Sequence, residues 1–341
     1  MTTRSYTNAF EVVDQTLPLI TIPQSSTLLS NFGVFTKIPV AQFTVTFEEL
    51  NQSLGFVTDQ VRYTKPQSLL NDVRKLRSYP LTNHQLADAI RPQDLIGKSA
   101  YGDLANQDTE AQAMARKLAK IRRYYDQTFE MAGFRTLQTG TAWAPGGSIA
   151  AINFYTDAGL TQTSVNFVFG TATTDIVAKC EAVIASIQDS SADGANVTGV
   201  VGFASPEFFS ALIAHAKVQT AYQYFTASEG QSILRNRAGN DFSLNRRFKF
   251  GGIEFIEVRQ SLNGTRFVDA NTCIFAGIGD EESAVRFAGP HSRFGGESML
   301  GEDVYAWSIR DPRMTEISIE SEANFLHVLK KPGLYCVGTV S

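Results

Sequence analysis

Four histidines, three cysteines and a few adjacent acids are the residues of this 341-residue chain whose chemistry could serve a catalyst or a metal. His84, His215, His291 and His327 lie far apart, and none has a second ligand at helical spacing, so a metal site would have to be gathered from distant segments. Cys180, Cys273 and Cys336 are equally scattered, each inside an apolar or helical stretch, which suits small buried side chains in a reducing compartment. A hydrolase would have to draw on Cys180 or Ser205 as nucleophile and His215 as base, with no G-x-S-x-G elbow or thiol-enzyme signature to support them. The stretch Gly277-Ile278-Gly279 runs into Asp280-Glu281-Glu282, whose charge would repel a phosphate, and Gly251-Gly252 reads as a tight turn before a strand. Glu48-Glu49 and Glu281-Glu282 are neighbours in sequence and point to opposite faces of a strand, so neither pair can act on one bond. No catalytic, cofactor-binding or metal-ligating set emerges, and no cofactor is expected.

Chemistry being absent, the question becomes what the chain builds. Its 43% hydrophobic content can supply a sizeable core, so an ordered globular protein is expected. A net charge of -4 and a pI near 5.7 argue against a basic, sequence-specific nucleic-acid reader and leave room only for weak contact with DNA along one surface. The first residues lack the pattern of a secretory signal, and no apolar run approaches the roughly 18 to 20 residues of a membrane span.

Residues 1–40 mix Pro18, Pro23, Pro39 and Gly33 with short apolar runs and read as an extended arm with little core of its own. From Phe43 the pattern alternates, Phe43, Val45 and Phe47 against Thr44 and Thr46, and the chain is expected to return through Val57 and Val61 to Tyr63 as a protruding hairpin. Arg62, Lys65, Arg74, Lys75 and Arg77 follow against the single acid Asp72; they form either a solvated loop or an intersubunit contact. The spacing of Ala111, Met114, Leu118, Ile121 and Tyr125 predicts a long helix over about 107–131, capped by Asp108 and ended by Gly133, with Arg116, Lys120 and Arg123 on a separate charged face. Segments 149–155 and 162–169 read as a long hairpin, 174–188 as a helix with Ile176, Cys180, Val183, Ile184 and Ile187 inward, and 189–194 as a passage between subdomains. A strand at 197–203, a helix opened by Ser205-Pro206 and running to about Tyr222, a strand at 253–258 and a type I′ turn at Asn263-Gly264 come next. The end of the chain reads as four strands: 304–309, 315–320, 325–329 and 335–340.

In that order the segments resemble the phage major capsid protein E family, the lambda-type shell protein. Lys75-Leu76-Arg77-Ser78-Tyr79-Pro80-Leu81, continuing to Ile90-Arg91-Pro92-Gln93-Asp94-Leu95-Ile96-Gly97, is similar to the family's exit from its extended loop. Phe248-Lys249-Phe250-Gly251-Gly252-Ile253-Glu254-Phe255 with the Asn263-Gly264 turn resembles its peripheral hairpin. Residues 316–320, Phe325-Leu326 and Lys331-Pro332-Gly333-Leu334 resemble its closing strands, although Ser321-Glu322-Ala323-Asn324 stand where a polar-Asn-Pro step is expected.

The resemblance implies an α+β tailed-phage major capsid (Johnson) fold. It would divide into an N-terminal arm (1–40), an extended loop (41–97), a peripheral domain in two parts (98–190 with the spine helix, and 286–341) and an axial domain (191–285). It implies a non-catalytic subunit that assembles with itself as hexamers and pentamers around packaged DNA, meets portal, scaffolding and decoration proteins, and is assembled in the host bacterial cytoplasm. The alternative within the same fold is an encapsulin-like, cargo-holding compartment.

Overall fold

A computed structural model describes residues 12–22, 27–51, 73–95, 99–100, 103–107, 109–191, 197–223, 245–296, 299–313 and 315–340. The chain opens with strand β1 (Val12–Asp14), short helices α1 (Thr16–Thr21) and α2 (Leu28–Asn31), and strand β2 (Thr36–Pro39). A hairpin of β3 (Thr44–Asn51) and β4 (Val73–Pro80) leads to β5 (Thr82–Ile90), the turn of helix α3 (Pro92–Leu95) and the small pair β6 (Ser99–Ala100) and β7 (Asp103–Gln107). Helix α4 (Glu110–Thr139) is followed by α5 (Phe154–Ala158), β8 (Ser164–Asn166), α6 (Ile176–Ser190), β9 (Gly199–Ala204), α7 (Pro206–Ala214) and α8 (Ala216–Gln223). Strands β10 (Arg247–Phe250), β11 (Ile253–Glu257), β12 (Ser261–Leu262), β13 (Thr265–Arg266), β14 (Thr272–Ile278) and β15 (Ala284–Ala288) come next. The chain closes with β16 (Tyr305–Arg310), β17 (Ile317–Leu329) and β18 (Tyr335–Thr339).

Two six-stranded sheets carry the core. The first runs β1-β16-β17-β15-β2, with β5 also paired to β17; the second runs β10-β11-β9-β14-β18-β8. Helix α4 lies against the first sheet through β17 and β5, while α6 and α7 lie against strands of the second. Burial of Phe203, Phe208, Phe255, Phe275 and Tyr335 centres the second sheet's core. Leu118, Ile121, Tyr125 and Phe129 of α4 form a second cluster with Ile319, Ala323 and Phe325.

The spine helix is longer than its apolar stripe announced, and it is capped elsewhere. Thr109, not Asp108, is the N-cap: its side chain accepts from the Gln112 N–H while the Gln112 side chain accepts from the Thr109 N–H, a reciprocal capping box. Gly133 does not end the helix, which passes through it to Thr139 and stops at Gly140 in the left-handed conformation (φ 66°). Glycine at 133 answers to space: a Cβ there would stand 2.7 Å from Leu29 Cδ1 and 3.2 Å from the Phe35 ring, so α2 can sit directly on the helix backbone. At about 1.5 Å per residue the helix is about 45 Å long.

Several other expectations are corrected. Residues 12–40 are not an arm without a core: β1 and β2 are the two ends of the first sheet's path, and Leu19, Leu28, Leu29 and Val34 are buried. The partner of β3 is β4, paired from Thr44↔Pro80 to Asn51↔Val73, and the return expected at 57–63 lies outside the described residues, as do residues 192–194 of the passage expected at 189–194. The hairpin expected over 149–169 is absent: Asn153 caps α5 instead, with its side chain accepting the Tyr155 and Thr156 N–H groups, and only β8 remains of the second strand. The helix opened by Ser205 breaks at His215 into α7 and α8. The strand β11 does not enter the Asn263-Gly264 turn, which joins the two-residue strands β12 and β13 with both turn residues at positive φ.

The strands expected at 315–320 and 325–329 are one. Strand β17 runs through Ser321-Glu322-Ala323-Asn324 because the polar side chains that looked like a loop have partners within the fold. Ser321 Oγ donates to the Leu86 carbonyl and lies 3.2 Å from the Tyr125 hydroxyl. Glu322 Oε1 accepts from Asn83 (2.8 Å), from the Ser292 N–H (3.1 Å) and hydroxyl (2.5 Å), and from Asn324 (2.7 Å).

Two histidines sit in the joint between α4 and the first sheet. The His84 ring stacks on Phe325 (4.6 Å) and Trp143 (5.6 Å), and His327 meets Phe35 and Phe325 edge to face. Burial pushes His84 down to about 4 and His327 well below its ordinary value, the latter helped by the nearby Arg286 charge. Both are neutral in the folded subunit, so as pH falls below about 6.5 the unfolded chain takes up protons that the folded one refuses, and stability drops. For His84 the loss is expected between about pH 6.5 and 4 and reaches at most about 3 kcal/mol. Urea midpoints of the dispersed subunit should fall over that window, and His84→Phe should flatten the slope. Gly133→Val should cost about 2 kcal/mol by forcing α2 off the helix, measured in the same way.

Candidate assembly surface

The hairpin β3–β4 pairs only with itself among the described strands. Its root is fixed: Val45 and Tyr79 are buried, and the Tyr79 hydroxyl donates to Asp157 Oδ2 at 2.9 Å. Burial, together with Asp157 and against the opposing influence of Arg77, pushes that phenol up to about 12. Further out, Leu76 is 69% exposed. A two-stranded ribbon has no second layer of its own, and such a ribbon is marginal in water unless it packs on something.

Of the five basic residues singled out here, Arg77 is half-buried beside Tyr79. Arg74 and Lys75 pair in β4 with Leu50 and Glu49 of β3. Arg62 and Lys65 lie outside the described residues.

The basic residues of α4 divide into two sets. Arg116, Lys120 and Arg123 are exposed along one face as expected, with the Lys120 ammonium 5.7 Å from the Tyr124 ring centroid. Lys117 turns back to Asp88 Oδ1 (2.6 Å) and the Ala89 carbonyl (2.7 Å). Arg122 is buried beside Asp126, with Nε 3.3 Å from Oδ1. The i, i+4 spacing of Arg122 and Asp126 was a sequence signal for that pair, and the apolar stripe overshadowed it.

Other exposed surface went unforeseen. The loop between β15 and β16 carries Phe294, 93% exposed, with Met299 and Leu300 also exposed. Its base is firmly held: Arg293 lies over Trp307 at 4.2 Å and is ion-paired to Glu320, and a Cβ on Gly301 would collide with the Ala288 carbonyl at 2.0 Å. An open, largely apolar groove of about 650 Å³ lies between β1, α1, the first half of α4 and β16, with Val13, Pro18, Met114, Leu118 and Ile317 among its walls.

The residues weighed as a hydrolase do not form a site. Cys180 is fully buried and burial pushes its thiol up to about 12, which removes the thiolate a nucleophile needs. Ser205 is fully buried as the cap of α7, accepting the Phe208 N–H. His215 lies against the Thr171 carbonyl and accepts the Lys217 N–H. No cluster of three or more potential metal ligands occurs among the described residues. Exposed apolar and basic surface on a rigid body can bind other surfaces, and that is the chemistry available.

Comparison with known proteins agrees. A family model described as phage major capsid protein E matches residues 14–340. The major capsid protein of Pseudomonas phage KPP10 is 35% identical over 345 residues, with 98% of each chain covered. That of Salmonella phage Felix O1 is 24% identical over 360 residues, covering 98% of this chain and 97% of the relative. Among solved structures the capsid of cyanophage P-SCSP1u is alike in fold, with a TM-score of 0.52 at 8% identity over 94% of this chain and 89% of that one. A match over nearly the full length, joined to a two-sheet α+β body with a hairpin that pairs only with itself and no reactive centre among the described residues, leads to one conclusion: the chain belongs to the phage major capsid protein E family.

Proposed function

We infer that the subunit builds an icosahedral head shell by laying its outlying segments on identical neighbours, as hexamers and pentamers. The structural role in a phage capsid follows from the family; the observation supporting this manner of assembly is the hairpin β3–β4, which pairs only with itself among the described strands and carries Leu76 69% exposed above the buried Val45 and Tyr79. Extended apolar segments gain their burial when other copies supply the second layer, and many weak repeated contacts make a closed shell stable.

In this reading residues 1–40 take the place of the arm, with β1 and β2 bound into the first sheet, 41–97 are the extended loop, 98–190 and 286–341 the peripheral domain, and 191–285 the axial domain. The pairing of β14 with β18, and of β18 with β8, favours drawing the axial body more widely, around the whole second sheet. Arg62, Lys65, Arg74, Lys75 and Arg77 serve as intersubunit contacts at the hairpin. Arg116, Lys120 and Arg123, spaced along one exposed helix face, offer weak, non-specific contact with phosphates of packaged DNA, consistent with a chain whose overall charge is negative. Portal, scaffolding and decoration proteins are the further partners, and the host cytoplasm the place of assembly. The full-length likeness to phage capsid proteins favours a virion shell over a cargo-holding compartment.

Deleting residues 52–72 and closing β3 to β4 with a short glycine turn should leave a soluble, folded subunit that forms no closed particles. Normal shells from that variant in electron micrographs would refute the role of the hairpin. Arg74→Glu combined with Lys75→Glu should weaken assembly more at low salt than at high, because screening shortens from about 10 Å at 0.1 M to about 3 Å at 1 M. Light scattering that shows equal loss at both salts would exclude a screened contact.

A further inference from the structure

β1 and β2 stand at the two ends of the first sheet's path, and α1 and α2, which lie between them in sequence, both touch α4. They are pinned at three places. At the start, β1 pairs with β16, and the Gln15 N–H donates to the Ala306 carbonyl at 2.9 Å. In the middle, the buried Glu130 of α4 accepts the Leu29 N–H at 3.0 Å, and Leu29 rests on the backbone at Gly133. At the far end, β2 pairs in parallel with β15.

That far end is tied to the helix by a charge cluster. Asp303 Oδ1 lies 2.7 Å from Arg286 Nη2 of β15 and 3.1 Å from Lys37 Nζ of β2, and Oδ2 lies 3.8 Å from Arg122 Nη2 of α4. Asp126 of α4 completes the cluster from below, and Arg286 also lies over the Phe129 ring at 4.5 Å. Lys37 has one other carboxylate in reach, Glu302 at 3.7 Å. A cluster of this kind is strong only while it stays dry, since water raises the local dielectric and weakens every pair together. Lifting β2 would admit water to Asp303, Arg286 and Arg122 at once.

We propose that residues 12–22 and 27–40 form a strap across α4 and that Asp303 couples the two, so that loosening β2 also loosens the middle of the helix. Coupling of this kind is reciprocal, so a helix displaced near Arg122 would in turn release the strap. The proposal concerns the single subunit and stands or falls independently of how subunits meet in the shell.

The test is amide hydrogen exchange on the dispersed full-length subunit carrying Lys37→Met, a change at a partly exposed site that leaves the fold intact. Exchange is expected to quicken about tenfold in residues 36–39 and at least about threefold in α4 residues 122–134, while β9 and β14 of the second sheet keep their wild-type rates. Glu302→Gln should leave the helix unchanged, and Asp303→Asn should quicken both segments. Faster exchange confined to β2 in Lys37→Met would overturn the coupling. So would an equal rise in the second sheet, which marks general loss of stability, or a Glu302→Gln effect on the helix as large as that of Lys37→Met.

Discussion

The contact between α4 and β17 governs the rest of the molecule. Phe129 meets Phe325 edge to face at 4.7 Å, Tyr125 reaches the His84 carbonyl and the Ser321 hydroxyl, and Arg286 covers the other side of Phe129. Burying side chains of this size contributes about 1.5–3 kcal/mol each, whereas a net hydrogen bond contributes about 1 kcal/mol. Apolar burial therefore drives the contact, and the polar groups fix its register. Ser321, Glu322 and Asn324 are costly to bury unless satisfied, and their partners come from β5, α4 and the loop after β15, so only one alignment of those elements is cheap.

From that contact the subunit acquires a rigid body that carries uncovered surfaces on firmly packed roots. The helix gives the first sheet a brace about 45 Å long, and the core under α6 and α7 runs on from the second sheet to Val285, Leu326 and Val328 of the first. Neither unit supplies cover for the ribbon β3–β4, for the tip at Phe294 or for the groove beside α1. Those surfaces are held by well-packed roots, Tyr79 on Asp157 and Arg293 on Trp307, so they are presented in fixed positions rather than searching for them.

What the sequence disclosed follows from where local rules suffice. The stripe of α4, the Ser205-Pro206 start of α7, the buried face of α6 and the Asn263-Gly264 turn are set by residues within a few positions of one another, and each was legible. Errors arose where distant partners decide. Ser321-Glu322-Ala323-Asn324 resemble a loop until Asn83, Ser292 and Tyr125 are brought alongside. Gly133 resembles a helix stop until Leu29 is packed on it. Pro18 and Pro39 suggest a free arm, yet β2 carries Pro39 at an edge position where its missing N–H costs nothing. Of the assembly surface, the exposed face of α4 was readable from charge spacing. Burial of Arg122 and exposure of Phe294 were not, because both depend on loops and strands far away in sequence.

The placement of β1 and β2 at opposite ends of one sheet's path has a consequence for synthesis. Gln15 bonds to Ser308, 293 positions away, so β1 leaves the ribosome long before the strand it pairs with. Both strands must be translated before that layer exists, and such long-range closure is slow. Until β16 is made, Leu19, which the fold buries with Val304 and Ala306, stands uncovered in the nascent chain, and exposed apolar surface of this kind favours aggregation.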